Sequence, residues 1–201
     1  MCNLGNCYYT GIGTHQDKSK AFEWYKKAFE WYKKGAEQGN TDAMLSLGIR
    51  YYNGEGTDKD CKKGLEWIKK SAEQGNSDAM YMLGDGYYNG IGTDKDYKKG
   101  FEWFKKSAEQ GNAYAKYILG ILYYNGEGTD QDYTKAFEWY KKGAEQGNAY
   151  AMNSLGTCYY NGIGTDQDKS KAFEWYKKAA KLGNATAISN LKKLYAYDIN
   201  N

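Results

Sequence analysis

Residues 112–147 read NAYAKYILGILYYNGEGTDQDYTKAFEWYKKGAEQG, and near copies of this stretch fill almost the whole chain of 201 residues. A pair of tyrosines stands before the glycine-rich part of each copy and recurs every 36 residues. These pairs are Tyr51-Tyr52, Tyr87-Tyr88, Tyr123-Tyr124 and Tyr159-Tyr160. A repeat of this length, with no second kind of sequence between the copies, predicts a solenoid.

Each copy has the apolar spacing of two α-helices. In the second half of the quoted stretch, Ala136, Tyr140 and Ala144 fall on one side of a helix and the charged residues fall opposite them. We call this segment helix B. In the first half, Ala115 and Leu119 are four residues apart and mark the buried side of helix A. The sequence therefore predicts helix A at about 42–53, 78–89, 114–125 and 150–161, each followed by a helix B.

The segment that joins the two helices, NGEGTDQD at 125–132, has the composition of a turn. Its glycines supply positive φ angles, and its last residue, Asp132, is a suitable N-cap for helix B. We expect helix B to end near Gly147, where a left-handed residue is easily accommodated.

These motifs resemble the Sel1-like repeat, a helix-turn-helix relative of the tetratricopeptide repeat. The resemblance rests on an Ala separated by three residues from Leu-Gly, a Tyr separated from Leu-Gly by two further residues, a Gly-x-Gly turn with Asp, and KAFEWYKKGAEQGN at 135–148. It covers essentially all of the chain, although the turn has Thr before Asp and the sequence contains no proline. The resemblance implies an all-α, right-handed superhelical solenoid of antiparallel helix pairs, an α/α repeat that acts as an adaptor or scaffold for protein complexes.

We predict a single domain over residues 1–201, with about five helix pairs and a C-terminal capping helix. The cap is predicted at 184–195, because Lys192 and Lys193 replace the Gly of Leu-Gly and its successor. Trp139 lies on the flank of helix B, where it is suited to covering the seam with a neighbouring helix, and its replacement by Ala should cost about 3–5 kcal/mol if the ring is well buried.

The first repeat departs from the pattern through a seven-residue duplication at 21–34, where AFEWYKK occurs twice in succession. Seven residues fall only about 20° short of two helical turns, so the apolar face survives the insertion. We therefore predict a long helix B from about Asp17 to Gln38, preceded by a short helix A at 2–9. The first half of the long helix would expose Phe22, Trp24 and Tyr25, unless the short first helix folds over them. An uncovered aromatic end would favour self-association through the N-terminal repeat.

Charge and hydropathy exclude several classes of partner. The net charge of +3 does not require a polyanion, so no nucleic acid is expected. No stretch is long and apolar enough to span a membrane, and MCNLGNCYYTGIG at 1–13 lacks the layout of a signal peptide. We therefore expect a cytoplasmic protein without a membrane partner. Secretion stays open if a leader was removed before residue 1.

The cysteines and the single histidine do not form a metal site or a disulfide pattern. Cys2, Cys7, Cys61 and Cys158 do not recur at matched positions of the repeat, which favours four free thiols. His15 is the one histidine, which is too few for the usual zinc ligand sets. No metal or other cofactor is expected.

Short motifs that suggest catalysis lack the context that catalysis needs. Ser189 and Lys192 have the SxxK spacing of penicillin-interacting enzymes, and the resemblance extends to proteins linked to β-lactam chemistry, but no Lys-Thr-Gly follows. A Ser-His-Asp triad has only His15 available, at a turn where a solvated residue is the simpler interpretation. We predict no enzyme and no catalytic residue, with a β-lactam-binding hydrolase as the alternative.

One face of helix A varies from copy to copy while the rest of the repeat stays constant. With residue 42 at 0°, the nearly constant Ala43, Leu47 and Gly48 fall between about 100° and 240°. The opposite arc, which we call the variable face, lies on the concave side according to the resemblance. The predicted partner-binding residues on this face are Tyr81, Met82, Asp85, Tyr114, Tyr117, Ile118, Ile121, Leu122, Tyr150 and Asn153.

Rigid aromatic side chains around an apolar centre suit the burial of an amphipathic peptide or partner helix. We therefore predict a non-catalytic protein that binds a protein or peptide. Two alternatives remain open at this stage. The side chains of the variable face could only fill gaps between adjacent A helices, or they could line a groove for a carbohydrate or a polyanion.

Overall fold

The computed structural model describes residues 2–199, and it describes the side chains of residues 4–194. All regular secondary structure in this described part is α-helical, as predicted. The helices are α1 (Cys2–Thr10), α2 (Lys18–Glu37), α3 (Thr41–Asn53), α4 (Cys61–Glu73), α5 (Ser77–Asn89), α6 (Tyr97–Glu109), α7 (Ala113–Asn125), α8 (Tyr133–Glu145), α9 (Ala149–Asn161), α10 (Lys169–Lys181) and α11 (Ala185–Ile199). The odd-numbered helices are the predicted A helices, and the even-numbered ones are the B helices.

The chain divides into two compact units, Met1–Asp96 and Tyr97–Asn201. In the first unit, each helix from α1 to α5 packs on the next one, and in the second unit the same holds from α6 to α11. Short turns join these neighbours, so successive helices within a unit run antiparallel. The single domain expected over residues 1–201 stays a prediction.

The helix boundaries follow from capping side chains that recur in every copy. Asn Oδ1 atoms cap the A helices by accepting the backbone N–H three residues later, at 2.8–2.9 Å. These caps are Asn40, Asn76, Asn112, Asn148 and Asn184. Asp carboxylates cap B helices in the same way, at Asp17, Asp60, Asp132 and Asp168. The backbone N–H bond lowers the pKa of each of these carboxyl groups.

Two glycines of the repeat show why helix A and the turn need residues without a side chain. A Cβ atom on Gly120 of α7 would collide with the ring of Tyr140 in α8. Gly128, in the turn after α7, has a φ of 73° and faces the backbone carbonyl of Tyr97. Helix A can therefore lie close to helix B, and the turn can lie close to the preceding helix B.

Four recurring tryptophans of helix B, Trp67, Trp103, Trp139 and Trp175, are half-buried, so the condition that the Trp139 ring is well buried is not met. Lysine amines lie over the rings of Trp67, Trp103, Trp139 and Trp175, 4.0–4.4 Å from the ring centres. The lysine stands three residues after the tryptophan in each case, which places both on one side of the helix. Trp67 and Trp175 also pack against the cores of their units, so they have the position expected of seam residues.

The duplicated heptad is accommodated as helix, because α2 is continuous over 20 residues and has Asp17 as its N-cap. The short helix α1 packs on the first half of α2, where the Tyr25 hydroxyl donates a hydrogen bond to Asn6 Oδ1 at 2.6 Å. Trp24 and Tyr25 are half-buried, and the alternative in which the first helix covers this end of α2 holds for Tyr25. Phe22 differs, since 54% of its surface stays exposed.

The last helix is longer than predicted, since α11 extends to Ile199 rather than ending at 195. The A helices α3, α5, α7 and α9 each end at a glycine with positive φ, for example Gly54 and Gly126. No glycine stands at the matching place after Tyr195. The signal that ends the other A helices is therefore missing, and the helix continues.

Candidate functional site

The second unit brings six of the predicted residues together on two adjacent A helices. Helix α7 carries Tyr114, Tyr117, Ile118 and Ile121, and helix α9 carries Tyr150 and Asn153. The rings of Tyr117 and Tyr150 lie 5.7 Å apart between centres, at an interplanar angle of 31°. Tyr114 and Tyr150 are 57% and 55% exposed, whereas Tyr117 is half-buried between them and α8. The result is an aromatic cluster with a fixed centre and two accessible rings.

Leu122 does not belong to this surface, which corrects the prediction. Its side chain is only 1% exposed. On a helical projection it lies about 20° from Ala115, which is fully buried, so it falls on the edge of the core arc. Cys158 occupies the same position in the next repeat and is 2% exposed. The variable face is thus narrower on this side than the sequence suggested.

Asn153 lies at a polar border of the cluster. Its Oδ1 accepts a hydrogen bond of 3.1 Å from Asn190 Nδ2 on α11, and its backbone carbonyl accepts one from the Thr157 hydroxyl. Thr157 is also 3.0 Å from the Tyr176 hydroxyl. A cavity of about 230 Å³ opens here, with Asn190 in its lining. Asn190 was missed at the sequence level because it lies in the capping helix, where the repeat pattern is weakest.

Lys116 is the single charged side chain on α7 and α9, and it was also missed. It is half-buried on the side of α7 that faces α8, opposite the variable face, and its pKa is lowered by burial and by the nearby Lys142. Burial, with a further contribution from Tyr150, raises the pKa of Tyr117. The variable face of α7 and α9 therefore carries no charged side chain, and the cluster is apolar and aromatic.

The first unit carries the other three predicted residues on α5, with a different charge. Tyr81 and Met82 are half-buried, and Asp85 is half-buried as well. The Asp85 carboxylate accepts a hydrogen bond of 2.8 Å from Asn89 Nδ2, and burial raises its pKa. The matching positions in α3, α7 and α9 hold uncharged residues, Ile49, Ile121 and Thr157. Helix α5 thus presents a carboxylate where these three A helices present an aliphatic or a hydroxyl side chain.

The ionisable side chains of residues 4–194 do not assemble a metal-binding constellation. No group of three or more His, Cys, Asp or Glu side chains in this part could hold a metal ion. Cys7, Cys61 and Cys158 are free thiols, and burial raises the pKa of Cys158 to about 12, whereas the Cys2 side chain lies outside the described residues. His15 is exposed at a turn. Within the described helices, none combines the length and the apolar character that a membrane crossing requires.

The sequence model of the Sel1 repeat matches residues 1–30, 25–40, 41–76, 77–112, 113–148 and 149–184. No curated protein sequence matches the chain. Among solved structures, a protective antigen of uropathogenic Escherichia coli strains with an SLR fold is 32% identical, with a TM-score of 0.81. That match covers 98% of this chain and 41% of the antigen, so the chain spans less than half of that protein.

Two further structures have the same repeat architecture. A Sel1 repeat protein from Oxalobacter formigenes is 35% identical, with a TM-score of 0.78, over 96% of this chain and 74% of its own. Cysteine rich protein B of Helicobacter pylori is 25% identical, with a TM-score of 0.54, over 66% of this chain and 96% of its own. Proteins with Sel1 repeats commonly serve as scaffolds for protein interactions and are generally not catalytic. Six repeat matches across residues 1–184, together with these structures, show that the chain belongs to the Sel1 repeat family.

Proposed function

We propose that the protein is a non-catalytic adaptor or scaffold that binds a protein or peptide partner through the variable face of helix A. The observation that carries this proposal is the aromatic cluster of the second unit, in which the Tyr117 and Tyr150 rings lie together and the exposed Tyr114 stands one helical turn before Tyr117. Tyrosine rings held on helices offer a large contact area and lose little conformational freedom on binding. The membership of the Sel1 repeat family, whose members commonly mediate protein interactions, supports the same conclusion.

The chemistry of the cluster suggests the kind of segment that it binds. Ile118 and Ile121 are half-buried neighbours of the rings on α7, and they extend the apolar surface along this helix. An amphipathic helix or an extended peptide with one or two large apolar side chains fits such a surface.

The acidic counterpart in the first unit suggests a second region of contact. Asp85 is a half-buried carboxylate that accepts a hydrogen bond from the neutral amide of Asn89. A lysine or arginine of a partner would compensate this charge better than water can at a half-buried position. Tyr81 and Met82 provide adaptable apolar contacts beside it.

The test uses peptides selected from a random library against the full chain, with affinities measured by fluorescence polarisation. Tyr114→Ala and Tyr150→Ala should each lower the affinity for the selected peptides by about tenfold, since exposed aromatic anchors dominate such interfaces. Tyr133→Ala is the matched control, because Tyr133 is an exposed tyrosine on helix B of the same unit. Equal affinities for all three variants would contradict the proposal.

We further propose that the protein is not a hydrolase and that it has no nucleic acid or membrane partner. Ser189 and Lys192 are both exposed on α11, where nothing described encloses a substrate. We expect no hydrolysis of nitrocefin, and turnover that is lost in Ser189→Ala would overturn this part. We also expect peptide affinity to change little with added salt, whereas a steep decrease would indicate a polyanionic partner. Three free thiols fit a reducing compartment, so the proposed location is the cytoplasm.

A further inference from the structure

In a regular repeat, helix B has two fixed points of contact, one with helix A of the same repeat and one with the turn that follows the next helix A. Gly120 of α7 lies against the ring of Tyr140 in the same repeat, and Gly164 of the following turn lies against the carbonyl of Tyr133. The two contact points on α8 are thus seven residues apart. Helix α8 therefore contacts the turn after α9 through its first residue, Tyr133, and contacts α7 through Tyr140 in its middle.

In the first repeat, the two contact points coincide at one residue. Gly5 of α1 lies 2.8 Å, measured from an added Cβ, from the ring of Tyr25, and Gly56 of the next turn lies against the carbonyl of the same Tyr25. Helix α1 is therefore displaced by one heptad, about 10 Å, towards the start of α2 relative to a regular helix A. The duplicated AFEWYKK makes this possible because it gives α2 two copies of the same packing face.

The displacement leaves a cleft of about 490 Å³ between α1, the first turns of α2 and the turn at 53–56. Its floor is Ala21, which is 1% exposed, and two exposed aromatic rings stand at its sides. The residues that matter for recognition are Asn6, Tyr9, Lys18, Phe22, Asn53 and Glu55. Glu55 is held in place by an ion pair with Arg50.

Phe22 lacks the contact that the equivalent phenylalanines make. Elsewhere, the helix B phenylalanine packs edge to face against a tyrosine of the following helix A, with ring centres 5.1–5.3 Å apart and interplanar angles of 84–90°. These pairs are Phe29–Tyr51, Phe101–Tyr123 and Phe137–Tyr159. Phe22 stands seven residues before Phe29 at the same place in the duplicated motif, and it is 54% exposed. No ring among the described residues packs against it.

The absence of a tyrosine partner has a simple origin in the sequence. Residues 25–40 match the Sel1 repeat as a separate partial copy, in addition to the copy at 1–30. The partial copy contains part of α2 as its helix B. The preceding helix A is α1, which already belongs to the copy at 1–30, so the partial copy has no helix A of its own. The cleft is therefore the place where the C-terminal tyrosine of an additional helix A would lie.

We propose that this cleft binds a tyrosine side chain presented by a helix of a partner protein, with the ring edge-on to Phe22. The three internal pairs supply the geometry of the contact and the kind of element that presents it. The amides of Asn6 and Asn53 and the amine of Lys18 line the cleft and provide polar groups for the hydroxyl. This site lies in the first repeat and is separate from the aromatic cluster of the proposed function.

The experiment is a titration of the isotope-labelled full chain with N-acetyl-L-tyrosinamide, followed by NMR, with N-acetyl-L-leucinamide as the control probe. Changes in the backbone chemical shifts should be confined to α1, the start of α2 and the turn at 53–56. Phe22→Ala should lower the affinity for the tyrosine probe by about fivefold. Trp31→Ala is the matched control, because Trp31 is a 66% exposed aromatic on the same helix outside the cleft lining, and it should leave the affinity unchanged.

A second variant keeps the test decisive if Phe22→Ala perturbs the fold. Deletion of residues 21–27 leaves a regular repeat, which should close the cleft and abolish saturable binding of the probe. Equal shifts with the leucine probe, or undiminished binding in either variant, would overturn the proposal. Concentration-dependent dimerisation that Phe22→Ala abolishes would overturn it too, because the tyrosine would then come from a second copy. Tyr150→Ala should not affect the probe, so this site and the aromatic cluster can fail independently.

Discussion

Helices α5 and α7 have the same place in the repeat, one in each unit, and their variable faces differ in charge. Both bury a leucine completely at matching positions, Leu83 and Leu119. Where α7 has Tyr114 and Ile121, however, α5 has Asp78 and Asp85. The repeat thus fixes the backbone and the core, and it leaves the variable face free to change its charge.

The two units as wholes also differ in net charge. Residues 1–96 contain 13 Lys and Arg against 14 Asp and Glu, whereas residues 97–201 contain 15 against 11. The modest overall charge of +3 therefore conceals a slightly acidic unit and a basic one. Two units with the same fold can in this way select segments of different charge.

The largest expected effect tests whether the two cores are equivalent. Leu83→Ala and Leu119→Ala should each lower the free energy of unfolding by about 3 kcal/mol, because both side chains are fully buried. Urea denaturation of each variant would measure the loss. A loss below about 1 kcal/mol in only one variant would show that the two helices are not packed alike.

Tryptophans of helix B should show an intermediate effect that depends on burial. Trp139→Ala should cost about 2 kcal/mol, less than a fully buried tryptophan, because the ring is half-buried under Lys142. Trp31→Ala should change the stability by less than about 0.5 kcal/mol, since its ring is 66% exposed. Thermal or urea unfolding of the two variants compares them directly. Equal losses would contradict the assignment of the Trp139 ring to a packing seam.

The smallest expected effect concerns the carboxylate that distinguishes α5. Burial raises the pKa of Asp85 in the folded state, so the folded protein binds this proton more tightly than the unfolded chain does. The contribution of Asp85 to stability is therefore favourable below the ordinary value of 3.8 and is lost as the pH rises through the raised pKa. Asp85→Asn should consequently be more stable than the natural protein at pH 7.

The same variant gives its own control at low pH. Below 3.8, Asp85 is protonated in both states, so the difference from Asp85→Asn should shrink towards zero. Urea denaturation at the two pH values measures this change. An advantage of the variant that is as large at low pH as at pH 7 would show that the carboxylate charge is not the cause.

Most of the fold could be predicted because its signals are local. The Asn caps and the turn glycines recur in register, so the bounds of α3, α5, α7 and α9 lie within one residue of those predicted. The long helix α2 could be predicted for the same reason, since seven residues preserve the helical face. Where the local signal is missing, as after Tyr195 at the end of α11, the prediction was wrong.

The site could be predicted only in part, because it depends on contacts between copies. Helical projection placed Leu122 on the variable face, but a position only about 20° from the core arc is decided by the neighbouring helix. The cleft beside Phe22 depends on the positions along α2 at which α1 and α3 pack. These positions are set by contacts between helices, which the repeat pattern does not give.

The most direct test of the central claim, that partners bind at the aromatic cluster of the second unit, is site-specific photo-crosslinking. A benzophenone amino acid would replace Tyr150 in one variant and Tyr133 in another, since both side chains are exposed in the same unit. A library-selected peptide would be added to each, and the crosslinked product measured by mass spectrometry. The account predicts efficient crosslinking from position 150 and little from position 133. Crosslinking that is equal at the two positions, or stronger at position 133, would contradict it.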